Sequence, residues 1–243
     1  ERLCKDDLIT VQIVENECSD NIAPVNLPLD IAYEDDDIIV INKPFDMPAH
    51  PSAGNHDNTL ANALMYYYGS QNKPFVYRCI NRLDRDTTGL TIVAKHALAG
   101  GILGNAVAKR AIHRTYYAVC SGCTPACMRI SAPIARKDAS TIERCVDFKR
   151  GENAVTDFIR IKYNPDNNLS LVKLRLLTGR THQIRVHMKY IGFPLIGDFL
   201  YNPDYTYISR QALHSGRLVF THPVTGQKMN LISDIPSDMK SLF

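Results

Sequence analysis

The sequence predicts an α+β fold, a large mixed, mainly antiparallel sheet flanked by a few helices. Five β-rich segments follow one another between residues 116 and 177, joined by short turns. Helical periodicity is confined to isolated stretches, and there is no internal repeat or low-complexity segment. With 243 residues, 45% hydrophobic and 22% charged, the chain is long enough for one large domain or two small ones.

Residues 8–14 are β-branched and read as a strand. Residues 15–30, polar and carrying Pro24 and Pro28, read as a linker. The expected organisation is thus an N-terminal strand and linker over 1–28 and a main domain over 29–243. Ile38 to Ile41 form a short buried strand, stopped by Asn42-Lys43-Pro44. A loop rich in Pro, Gly, His and Asn spans 44–58, a length that is often functional in compact domains. Residues 59–68 read as a helix: Leu60, Ala63, Leu64 and Tyr67 recur at i, i+3, i+4 and i+7, and Gly69 follows as a stop. Strands at 75–80 and 90–94 flank a polar turn. The Ala- and Leu-rich stretch 96–110 reads as a helix despite Gly100, Gly101 and Gly104. Strands are expected at 116–120, 129–132, 143–148, 154–163 and 170–177. A helix over 182–190 has Thr181 as its N-cap candidate and Gly192 as its stop. Strands near 211–220 and 227–232 lead to a short helix from Pro236.

Several function classes are disfavoured at this level. No apolar run approaches the roughly 18 residues that span a bilayer. The first residues, Glu1-Arg2-Leu3-Cys4-Lys5, carry no signal-peptide pattern, so the expected compartment is the cytoplasm. A net charge of +3 permits nucleic-acid binding without demanding it, because a local basic face matters more than the total. Seven Cys are too few for a disulfide scaffold in a chain of this length. Cys120, Cys123 and Cys127, with Cys145 as a distant fourth, could ligate a metal, but small apolar thiols at a strand end are the better reading. His182 and His187 lie five apart with no HExxH glutamate, which fails as a zinc motif, and no GxGxxG or GxxxxGK[ST] points to a nucleotide. No metal and no cofactor are expected.

Four segments carry candidate chemistry. "NRLDRDTTGLTIVAK" (81–95) sets Asp84 among Arg82 and Arg85, ahead of a buried strand. A neighbouring guanidinium favours a carboxylate's ionised form, which suits a nucleophile or an electrostatic stabiliser, although the motif alone also fits a structural ion pair. "TGRTHQIRVHMKYIG" (178–192) clusters Arg180, His182, Gln183, Arg185, His187 and Lys189, with Ile184, Met188 and Ile191 as the core stripe. "KRAIHRTYYAV" (109–119) interleaves basic groups with Tyr116 and Tyr117, which suits RNA and equally suits a solvated helix end before a strand. The fourth, 41–64, holds Lys43, His50 and His56 in a Pro-rich loop suited to lie across a cleft.

Together these segments resemble the RluA-type pseudouridine synthase family, in the family's order and over nearly the whole chain from about Leu29. "YEDDDIIVINKP" resembles the opening strand, "AHPSAGNHDNTLANAL" the His-Pro loop and first helix, and "RTYYAV" the Tyr motif. "NRLDRDTTG" resembles the signature His-Arg-Leu-Asp-x-x-Thr-Ser-Gly, with Asn81 for His and Thr88 for Ser. "TGRTHQIRVHMKYIGFPLIGDFLY" resembles the long third motif, the most specific match. Lys5-Asp6-Asp7 and the strand after it resemble only the end of the S4-type RNA-binding domain that many members carry.

The resemblance implies the pseudouridine synthase fold with a cleft across its sheet, and an isomerase that acts on structured RNA. Ribosomal RNA is favoured over transfer RNA, and the chain is expected to be monomeric. It implies Asp84 as the catalytic carboxylate and Arg185 as its partner. Tyr116 would pack against the flipped uracil, and Arg82 would help displace the target base. Lys43, Arg180, His182 and Gln183 are further RNA-binding candidates without assigned roles. The reaction breaks the C1′–N1 bond, turns the uracil and rejoins it through C5, which needs no oxidant and no external group. One ionised carboxylate beside the anomeric carbon suffices, either attacking C1′ or taking a proton from C2′. A glycosidase or nucleosidase would need a second carboxylate, for which Asp86 and Asp198 are candidates by type, Asp198 fitting a structural turn better. A non-catalytic RNA-binding module is the remaining rival.

Overall fold

The computed structural model describes residues 2–8, 17–52, 54–138 and 142–243. Most of the strand expected over 8–14 lies outside the described residues. The first two strands, β1 (Ile31–Glu34) and β2 (Ile38–Lys43), form a hairpin. Asp35 shapes its turn by accepting the N–H groups of Asp37 and Ile38, each at 2.9 Å. Residues 19–29 are not a detached linker: Ile22, Leu27 and Leu29 pack with Leu60 and Leu64, and the Val25 N–H bonds Asn62 O.

Helix α1 (Leu60–Gly69) opens on a capping box between Thr59 and Asn62. Gly69 is its last residue rather than its stop, and Ser70 caps it. The strand expected over 75–80 shrinks to β3 (Arg78–Cys79), because Phe75 and Tyr77 turn into the cluster over α1 instead of pairing. Strand β4 (Thr88–Ala94) is buried throughout, and α2 (Ala97–Ala108) follows, seating Ala99 and Leu103 on the sheet.

Then come β5 (His113–Ser121), β6 (Cys127–Ser131), β7 (Ile134–Arg136) and β8 (Arg144–Val146). Strands β9 (Val155–Asn164) and β10 (Leu169–Leu176) precede α3 (Gln183–Tyr190). Ile184 and Met188 bury against β5, β9 and β10 in the largest core cluster. His182, not Thr181, is the residue before α3, and it caps with no side-chain bond. The helix ends as expected at Gly192, whose φ of +85° lets its N–H and that of Phe193 close on Lys189 O and Met188 O. Strands β11 (Leu213–Thr221) and β12 (Lys228–Ile232) and α4 (Ser237–Lys240) complete the chain.

Among the described residues, ten strands make one sheet in the order β1-β2-β4-β11-β5-β10-β9-β6, with β3 added to β4 and β12 to β11. Only the β4–β11 junction is parallel, through Thr88–His214 and Gly89–Ser215. Strand β2 covers one edge of β4 from Gly89 to Ala94, and the other edge is divided between β11 at Thr88 and Gly89 and β3 at Val93 and Ala94. That divided edge, at the middle of the sheet, is where the segment carrying Asp84 emerges. No helix among the described residues is long and apolar enough to cross a membrane.

Candidate active site

The residues before Asp84 bridge the gap in the β4 edge. The Asn81 side chain imitates a peptide unit: Oδ1 accepts the Ile92 N–H at 2.7 Å and Nδ2 donates to Leu90 O at 3.2 Å. Leu83 is buried in the core beside Tyr116. The following turn closes through the Thr87 N–H on Asp84 O at 3.1 Å. Lys43 Nζ donates to Arg85 O at 2.8 Å, and Gln211 Nε2 donates to Thr87 Oγ1 at 2.6 Å. Asp84 is therefore presented from a backbone held on three sides. Both departures from the family signature are used internally, since Thr88 Oγ1 lies 2.8 Å from His214 Nδ1.

Arg185 reaches Asp84 from α3. Its Nε and Nη2 fork onto Asp198 at 2.7 and 2.8 Å, which leaves Nη1 to donate to Asp84 Oδ2 at 3.0 Å. The guanidinium carbon stands 5.0 Å from the Tyr201 ring centroid and 5.4 Å from that of Phe199. Burial would ease the proton off Arg185, but hydrogen bonds and charge from Asp198 and Asp84 outweigh it and hold the side chain firmly protonated. The partner of Asp84 is thus neither flanking arginine. Arg85 forks onto Asp86, and Arg82 has no hydrogen-bond or ion-pair partner among the described residues.

His182 adjoins the pair. Its backbone is left-handed, φ +57°, and its Nε2 lies 3.9 Å from Asp84 Oδ2. Nδ1 is 2.9 Å from the Tyr201 hydroxyl, which also accepts the Arg144 N–H at 2.9 Å. Burial pushes the imidazole below its usual range, with Asp84 opposing.

A cleft of about 710 Å³ opens over these groups. Tyr116, buried at the centre of β5, lines it together with Leu213. Six arginines line it, Arg82, Arg110, Arg114, Arg175, Arg180 and Arg185, and Asp84 is the one carboxylate among the described lining residues. Such a cavity admits a nucleotide, and its walls suit phosphate. The second carboxylate of a glycosidase is not there: Asp86 faces Arg85, and Asp198 is fully buried as the clamp on Arg185.

The remaining candidates divide. Arg180 lines the cleft while bonding Glu152 and Asn153 O. Gln183 lines it too but is buried and fully used, accepting from Thr178 Oγ1 and Arg180 N and donating to Val155 O and Thr156 Oγ1. Lys43 requires correction as an RNA contact. It is 1% exposed, its ammonium is spent on Pro44 O and Arg85 O, and burial lowers its pKa to about 7. His187 bonds Thr156 Oγ1 and Ala132 O inside the fold, as a structural histidine does.

Sequence reasoning overlooked Tyr201 and the clamping role of Asp198. Both stand in "IGDFLY", inside the third motif, but nothing in their spacing announces the contact with Arg185. Among the described residues the cysteines form no ligand cluster. The one group of potential ligands, Asp35, Asp37 and His222, lies elsewhere. His222 Nδ1 accepts two backbone N–H groups, and its Nε2 lies 2.8 Å from an Asp35 carboxylate oxygen.

Known proteins resemble this chain over most of its length. Residues 37–190 match the family model for RNA pseudouridylate synthase. The chain is 41% identical over 239 residues to the uncharacterized RNA pseudouridine synthase YjbO of Bacillus subtilis, covering 98% of this chain and 83% of that protein. It is 41% identical over 245 residues to the ribosomal large subunit pseudouridine synthase D of Haemophilus influenzae, covering 95% and 75%. Among solved structures, human RNA pseudouridylate synthase domain containing 1 superposes with a TM-score of 0.71 at 26% identity, covering 85% of this chain and 83% of that one.

Proposed function

Since the chain belongs to the RNA pseudouridylate synthase family, in its RluA type, we propose that it isomerises specific uridines of structured RNA through Asp84, with ribosomal RNA as its substrate. The observation that carries this reading is a single carboxylate among the described lining residues, bonded by Arg185, in a cleft that six arginines line. Isomerases of this family rearrange a base already attached to the chain. One carboxylate at the anomeric carbon and a dry pocket for the detached uracil are then enough.

The roles follow from position. Asp84 acts at the sugar, either at C1′ or on the C2′ proton. Arg185, clamped by Asp198 and backed by two rings, fixes the carboxylate and supplies charge that needs no rearrangement during the reaction. Reaching a base inside folded RNA means unstacking it, at a cost of about a few kcal/mol. Tyr116 in the cleft offers the flipped uracil a packing face, and the unpartnered Arg82 at the mouth is free to enter the space it leaves. Arg110, Arg114, Arg175 and Arg180 take phosphates. The enzyme works as a cytoplasmic monomer, and its RNA preference follows that of its ribosomal relatives.

Tritium release from RNA labelled at uracil C5 tests this. Wild type should release tritium from ribosomal RNA lacking the modification and leave pseudouridine in the chain. Asp84→Asn should bind the RNA and release none. Turnover by Asp84→Asn at the wild-type rate would defeat the assignment. Free uracil among the products would mean a nucleosidase, and release from transfer RNA alone would move the substrate.

A further inference from the structure

His182 is an odd choice for its position. Its φ of +57° is a conformation that glycine adopts without cost. The side chain does not repay this by capping α3, since no first-turn N–H bonds it. The ring is instead turned toward Asp84 and Tyr201 and lines the cleft. A strained backbone that keeps a particular side chain at a reactive group is a reason to look for a role in that side chain.

The hydrogen bonds say which proton the ring carries. The Tyr201 oxygen accepts the Arg144 N–H at 2.9 Å, so its own O–H is left to donate, and His182 Nδ1 at 2.9 Å is the acceptor beside it. With Nδ1 accepting, a neutral imidazole holds its proton on Nε2. That N–H faces Asp84 Oδ2 at 3.9 Å, one small rotation of the part-exposed carboxylate from a hydrogen bond. Burial favours this neutral form, with the Asp84 charge opposing.

Arg185 Nη1 and His182 Nε2 therefore converge on the same carboxylate oxygen. Asp84 Oδ1 has no partner among the described residues. We propose that His182 is a positioning residue for the reaction: its Nε2–H, set by Tyr201, joins Arg185 on Oδ2 of Asp84 and turns the unpartnered Oδ1 toward the ribose. This rests on the reading of Asp84 as the reacting carboxylate. If Oδ1 attacks C1′, the Oδ1–C1′ bond forms as C1′–N1 breaks and the electron pair leaves with the uracil. Oδ2 becomes the carbonyl oxygen of the ester, still held by both donors. Attack by C5 then returns the pair to Oδ1 and restores the carboxylate, after which C5 loses its proton to water and N1 takes one from water. If Asp84 instead takes the C2′ proton, a C1′=C2′ double bond forms as C1′–N1 breaks, the proton returns to C2′ when C5 adds to C1′, and the same oxygen is the one presented to it.

The decisive variant is His182→Gly, because glycine suits the backbone and removes only the ring. Wild type, His182→Gly, His182→Gln and Asp84→Asn are compared by tritium release under single-turnover and steady-state conditions, with thermal melting as a check on folding. His182→Gly should melt at or above the wild-type temperature, lose about 10- to 100-fold in kcat, the range expected for one hydrogen bond to a charged group, and keep KM within about twofold. His182→Gln, which restores an N–H near the Nε2 position, should recover part of that loss. Full activity in His182→Gly would overturn the proposal, as would a rise in KM at unchanged kcat, which would make the ring an RNA contact. Equal losses in the Gly and Gln variants would also overturn it. The Asp84→Asn protein keeps the two readings apart: inactive Asp84→Asn beside fully active His182→Gly sinks only this inference, whereas active Asp84→Asn sinks the reading beneath it.

Discussion

His214 is buried at the parallel junction, between the Thr88 hydroxyl and Ser233 O. Burial is the main cause that lowers its pKa to about 4, and the same cause lowers His50, His182 and His187. Between pH 4 and the unfolded value of about 6.5, the unfolded chain binds the proton that the folded chain refuses. Stability should therefore fall as pH drops through that window, by up to about 3 kcal/mol from His214 alone. Urea unfolding at a series of pH values checks this. His214→Gln, which keeps a donor for Ser233, should make the acid slope shallower, and an unchanged slope would remove His214 from the account. Arg185 carries a different lesson. Helical spacing sets it off the apolar stripe, yet it is 2% exposed because Asp198 meets it inside the fold. A buried charge of this kind is tolerable only when it is paired and hydrogen-bonded.

The element that decides the site is β4, whose free edge is shared by β3 and β11. Gly89 makes the sharing possible. Its φ is +105°, and a Cβ there would lie 2.3 Å from the Ser215 carbonyl oxygen and 2.8 Å from its carbon. Neither neighbour is a flexible side-chain end, so the strain cannot be relieved locally. Gly89→Ala should cost about 3 kcal/mol or more, as clashes and left-handed strain at a packed position do. Chemical denaturation measures it, and a cost below about 1 kcal/mol would show that the junction yields. Activity per folded molecule should fall too, because Thr87 and Asp84 are anchored one turn away. The α3 terminus works by the same logic on a smaller stage: Gly192 sits beyond the last turn, where only a left-handed residue lets Met188 and Lys189 bond their carbonyls.

For the molecule as a whole, a net charge of +3 understates the field that RNA meets. Six arginines line one cleft, drawn from the Asp84 loop, the α2–β5 connection, β5, β10 and α3 with its preceding turn. Binding should accordingly weaken as salt rises, with each phosphate contact adding about −0.7 to −0.9 to the slope of log K against log salt. Arg110→Ala and Arg175→Ala should each lower the magnitude of that slope by about one contact's share and raise Kd, with kcat little changed. Filter binding from low to moderate salt would read this out, and an unaltered slope in both variants would place the phosphates elsewhere.

Much of this was legible in the linear chain. The β2 and β4 runs, the stop at Gly192 and the stripe of Ile184 and Met188 are local signals, encoded within a few neighbouring residues. The Arg-Leu-Asp core and the long third motif are local signals too, and the fold brings their segments together at one cleft. Three things were not readable: the inward turn of Lys43, the clamp of Asp198 on Arg185, and the meeting of His182, Tyr201 and Asp84. Arg185 and Asp84 are 101 residues apart, and their contact depends on α3 docking against a sheet whose strands pair out of chain order. Local patterns fix which face of an element is apolar. Which charged group ends up opposite which is settled only when the sheet closes, because burial forces each polar atom to find a partner among whatever the topology brings within reach.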